Sequence, residues 1–197
     1  MDIHHLLLLG HLVGIALGVG GATISDIFFF RSLRDGVISK DEFATFQLLS
    51  KIVMTGFALL FISGFGFVVL HVVNTGSFAG LAGKVIAKAV IVLIILINSQ
   101  VLHHKVMPLL KNNIGNTIQP ILEKHSVLIL TSGAISGVSW YTTLLLGSWR
   151  GLSTPYEIIL LLYTIVVSSA IIGANIVGFK RLKYIYLKKN TSSPSTQ

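Results

Sequence analysis

Long apolar runs alternate with short polar connectors along the whole chain, and each run is longer than a soluble core helix needs. The first, Leu6 to Phe30, covers roughly 37 Å at ~1.5 Å per residue, against ~30 Å for the hydrocarbon core of a bilayer. Spans are predicted at about 6–30, 46–73, 81–102, 126–148 and 155–179. The fold class is an all-α membrane protein, a five-transmembrane-helix bundle. Residues 1–189 make a single five-helix transmembrane domain, and the Ser/Thr-rich 190–197 reads as a disordered tail. Ser39-Lys40-Asp41-Glu42 has the form of a helix start leading into the second span. The stretch 105–124, with two prolines and Asn112-Asn113, reads as an exposed loop.

Within the first run the pattern is not that of a plain anchor. His4, His11, Gly18 and Ser25 recur every seven residues, nearly two turns, with Gly14 and Gly21 between them. That face is small and polar, so it should point into a bundle, where small residues let helices approach closely. The same glycine faces could also pair copies as a homo-oligomer.

Composition narrows the class. The chain has 197 residues, 53% hydrophobic and 11% charged, which excludes a separate soluble domain. It has no cysteine, which excludes disulfides and thiolate metal sites. The net charge of +8 would suit nucleic acid in a soluble protein, but here the basic residues gather in connectors and tail. All 15 except Lys84, Lys88 and Arg150 fall on one side of a five-span topology. The positive-inside rule then puts the N-terminus outside and the C-terminus in the cytoplasm, in a multi-pass inner (plasma) membrane protein whose partner is the lipid bilayer and not nucleic acid. No Lys or Arg precedes the first run, so an uncleaved span is expected there instead of a signal peptide.

This topology sorts the intramembrane polar residues into two layers. The outer layer holds His11, His71, Lys84, Lys88, Trp140, Tyr141 and Glu157; the inner one holds Asp26, Lys51, Asn98, Gln100, His103, His104 and Asn175. A Lys or Asp at the centre of a span costs about 2.5–3.5 kcal/mol on insertion scales and marks function by default. Lys84 can snorkel to the surface, but Lys88 is a turn deeper and is followed by an unbroken apolar run to Ile97.

Three readings fit His11 and Lys88. In the plain one, the histidine is hydrogen-bonded inside the bundle, the lysine snorkels, and the chain is a structural or assembly subunit. In the second, His11 is an axial ligand of a b-type haem, with Lys88 as the other iron ligand or as a partner to a propionate. Flanking Gly14 and Gly18 would let the macrocycle lie close, and His71 and Trp140 complete the cofactor-binding set. In the third, His11 and His71, with His4 or His5, serve copper or another cation in transport. Asp26 lies roughly 22 Å along the helix from His11, so it belongs to no shared site, and a salt bridge to Lys51 or Arg31 is expected for it. Adjacent His103 and His104 point about 100° apart and read as solvated or headgroup-facing.

The pattern His11-Leu12-Val13-Gly14 in helix one resembles that of the HemJ-type protoporphyrinogen oxidases. So do Lys51-Ile52-Val53-Met54-Thr55 with Gly64 in helix two, and Ala87-Lys88-Ala89-Val90 opening helix three. The wider group of small bundles that includes the CopD copper-resistance membrane domain is similar too. The likeness runs from about Leu6 to Leu110. It implies a compact helical membrane bundle with haem b tied to His11 and Lys88. In such a protein the haem-dependent oxidoreductase function would be electron transfer with quinone, or oxidation of a porphyrinogen. Gly18-Val19-Gly20-Gly21 follows the histidine where the oxidases carry aromatics, so the resemblance favours a haem or metal bundle over porphyrinogen oxidation itself.

Overall fold

The computed structural model describes residues 2–78, 83–149 and 154–191, those at 33–35, 179 and 181–191 by their backbone alone. The described residues hold five helices long and apolar enough to cross a membrane. They are α1 (Ile3–Asp35), α2 (Lys40–Thr75), α3 (Gly83–Val101), α5 (Gln119–Ser148) and α6 (Tyr156–Thr191). A π-helical turn, Leu102–Val106, and a short α4, Met107–Lys111, prolong α3 into one rod. The expected span start at Leu81, Arg150 and tail residues 192–197 lie outside the described residues; Asn190 and Thr191 belong to α6.

Local signals fix the helix ends. Ser39 caps α2 by accepting the Glu42 N–H at 3.1 Å, while its own N–H donates to Glu42 Oε2 at 2.8 Å. That reciprocal pair starts α2 at Lys40, earlier than residue 46. Asp41 and Glu42 in the first turn oppose the positive end of the helix dipole. Gly36 (φ 71°) and Gly76 (φ 69°) take the left-handed conformation that stops α1 and α2.

In lipid, apolar burial alone gives neighbouring helices little reason to associate, so close backbone approach and buried polar contacts decide the packing. α1 and α2 form an antiparallel pair in which His11 meets Ser63, Gly14 meets Leu60 and Gly56, Gly21 meets Val53, and Phe28 meets Phe46. At the tightest point a Cβ on Gly56 would overlap the Gly18 backbone nitrogen. α5 is the second neighbour of α1 and also packs on α3 and α6. Trp140, Ala87, Ile91, Ile95 and Tyr163 fill the centre among these helices. Ser139 of α5, whose own proton goes to Ile135 O, bonds the Tyr163 hydroxyl of α6 at 2.8 Å, and Asn98 donates to Ser132 O at 2.9 Å. The glycine faces Gly14, Gly18, Gly21 and Gly56 are thus used within one chain.

The stretch 105–124 is not an exposed loop. α4 carries it on to Lys111, α5 begins at Gln119, and only seven residues connect them. Val106, Leu110, Ile118, Ile121 and Leu122 recur at helical spacing and bury against Ile38 and Phe43. Bridges Val37 to Thr117 and Ile38 to Ile114 stitch the two connectors at that end together, with Gly115 N–H donating to Ile38 O and Ile118 N–H to Gly36 O. His103 and His104 are exposed on the π-helical turn, and His104 pairs with Gln100 at 3.1 Å.

Candidate functional site

His11 sits half-buried on the α2-facing side of α1, one residue past Gly10 and three before Gly14, whose missing side chain lets Leu60 approach. Its Nδ1 lies 2.9 Å from Ser63 Oγ. The serine hydroxyl has one proton, and that proton is committed to the Leu59 carbonyl at 2.6 Å, the usual back-bond of a serine in a helix. Ser63 Oγ therefore accepts from His11, so Nδ1 carries the hydrogen and Nε2 keeps its lone pair. A ring held in one tautomer by a partner behind it is how proteins present imidazole to a metal or a proton donor.

Phe67, one turn beyond Ser63, touches the His11 ring edge-on, with centroids 5.7 Å apart, and touches His4 on its other side at 5.5 Å. His71 follows one turn later, and its Nε2 is enclosed without a hydrogen-bond partner. Ser63, Phe67 and His71 thus share one face of α2. Ser63 and Phe67 escaped the sequence reading, although their spacing of eight and four residues from His71 was available to it.

Lys88 comes from α3, which packs on α5 and α6. Its ammonium lies 3.1 Å from the position a Cβ on Gly147 would take, near the end of α5. The lack of a side chain at Gly147 makes that approach possible. Lys88 has no ion pair or hydrogen bond among the described residues. Lys84, the shallower lysine, donates to Trp149 O at 3.2 Å and so caps the last turn of α5.

Trp140 is 3% exposed and closes the space below this layer. Its ring fills the room left by Gly18 and meets Phe57 edge-on at 6.5 Å. The space at Gly14 and Gly18 is thus taken by Leu60 and Trp140 respectively. His11, Lys88, His71 and Trp140 lie towards one end of the bundle, on four different helices. No three His, Asp or Glu side chains converge to hold a metal ion among the described residues.

Asp26 departs from expectation. Neither Lys51 nor Arg31 pairs with it; both are exposed. The one ion pair among the described residues joins Asp2 and His5 at 3.9 Å. Lys51 is on the solvent- or lipid-facing side of α2, whereas Asp26 turns towards α5, so the two diverge around α1.

No family model, curated protein or solved structure matches the chain.

Proposed function

We propose that the chain is an inner-membrane b-type haem protein, N-terminus outside, in which His11 Nε2 is an axial ligand. The observation that supports this most is the His11–Ser63 bond: a membrane-embedded imidazole with its tautomer set and the other nitrogen left free. The donor set suits a haem better than a bare ion, since one fixed imidazole and one amine are offered, not three or four ligands. Lys88, unpaired and in the same layer, is either the second ligand, as a neutral amine, or the cation for a propionate. The enclosed, partnerless Nε2 of His71 suits a second polar group of the porphyrin.

Each side chain then has a definite task. Ser63 sets the hydrogen on Nδ1, and Phe67 limits rotation of the ring. Trp140 and Phe57 wall off the centre of the bundle, and burial on this scale tunes a redox potential. Haem supplies reversible one-electron chemistry at its iron, which would serve exchange with a quinone or oxidation of a porphyrinogen.

The test is a reduced-minus-oxidised visible spectrum of membranes from cells overproducing the chain, followed by the purified protein. A Soret band that shifts on dithionite addition, lost in His11→Ala and altered in Lys88→Met, is the expected result. A colourless protein that binds copper would favour cation transport instead, and a colourless, metal-free one an assembly subunit.

A further inference from the structure

Asp26 stands at the other end of α1 from the His11 layer, inside the apolar span Ile3–Ser32. Its Oδ2 lies 3.8 Å from the place of a Cβ on Gly137, against the α5 backbone. It has no hydrogen bond and no ion pair among the described residues. The helices packed on α1 offer no cation. On α2 the nearest basic residue, Lys51, is exposed and directed away. α5 carries no charged residue between Lys124 and its end at Ser148. Its titratable group on this seam, the Tyr141 hydroxyl, is engaged by Thr23 at 3.0 Å. Arg31 on α1 itself is exposed.

A carboxyl inside a membrane is stable with a cation beside it or a proton on it. Here no cation stands beside it. A metal ion is a poor alternative occupant, because hard cations gather several oxygen ligands and this place offers one carboxyl. Six residues, roughly 9 Å, separate Asp26 from the near end of the span at Ser32, against about 35 Å to the end at Ile3. We infer that Asp26 is a proton-binding site within the membrane, exchanging with the aqueous side opposite the N-terminus. In the exchange a hydronium ion gives its proton to an Asp26 carboxylate oxygen and leaves as water; the reverse step returns it. The site stands apart from the haem reading and does not depend on it.

Infrared spectroscopy of the full chain in a detergent free of ester groups tests this. The other described carboxylates stand at the N-cap or in the first two turns of their helices, away from the middle of any span. The expected result is one carboxylic C=O band at neutral pH that Asp26→Asn removes and that shrinks in alkaline solution. Dicyclohexylcarbodiimide, which attacks protonated carboxyls in apolar surroundings, should label the wild-type chain once, on the peptide holding Asp26, whatever the behaviour of the variant. Absence of an Asp26-dependent band at neutral pH overturns the inference. So does a band that persists unchanged in alkali, or carbodiimide labelling that falls elsewhere.

Discussion

The α1/α2 seam should be intolerant of a single methyl group at Gly56 and indifferent to one at Gly64. A Cβ at Gly56 would meet only backbone, 2.9 Å from Gly14 O and from Gly18 Cα, and would overlap the Gly18 nitrogen. Ordinary contact begins near 3.4 Å, so the helices must part by at least about 0.5 Å, a strain of the kind that costs ~1–3 kcal/mol. Backbone cannot rotate out of the way as a flexible side chain can. Gly64, on the same helix, has nothing within 4 Å. Gly64→Ala therefore reports the propensity gain of Gly to Ala alone, up to ~1 kcal/mol in favour of the helix. Measured against that control, Gly56→Ala should lose ~1–3 kcal/mol, or about 2–12 °C of melting midpoint for a chain of this size. Thermal unfolding in detergent micelles, followed by tryptophan fluorescence, gives both values. Equal midpoints for the two variants would refute the close approach of α1 and α2 at this point.

Ser139→Ala leaves the buried Tyr163 hydroxyl without its partner and should cost about 1–3 kcal/mol in the same assay. Adding Tyr163→Phe to that variant should recover part of the loss; strict additivity would contradict the bond. Nitrogen NMR of labelled histidine should show His11 as the Nδ1–H tautomer, with Ser63→Ala shifting the ring to a mixture and Ser63→Thr preserving it; an unchanged spectrum in Ser63→Ala would remove the serine from the site. For the orientation, a membrane-impermeant thiol reagent should reach Ser77→Cys in intact cells and Lys111→Cys only after permeabilisation. The opposite order would invert the bundle.

The spans were legible because a bilayer demands some twenty apolar residues in a row, and this chain supplies that five times. Their ends were less so. Prolines and asparagines in 105–124 suggested a loop, yet Pro120 stands in the first turn of α5, where a missing N–H costs nothing, and Pro108 follows the π-helical turn within the α3–α4 rod. The apolar spacing of Val106, Leu110, Ile118, Ile121 and Leu122 was the stronger signal. Of the site, the depth of His11 and Lys88 could be read from residue position, since rise per residue converts number to height. Their partners could not. That Ser63 stands behind His11, that Trp140 occupies the space at Gly18, and that α3 packs on α5 and α6 all depend on which helices are neighbours. Asp26 illustrates the same limit: charge suggested Lys51 or Arg31 as its partner, whereas the rotation of α1 turns it towards Gly137.

Titration of haemin into the purified, detergent-solubilised chain, read at the Soret band, tests most directly whether His11 presents its free nitrogen to an iron. Saturation at one haemin per chain in the wild type, with saturable binding lost in His11→Ala, is the predicted result. No saturable binding by the wild type, or the same titration curve for both proteins, would contradict it.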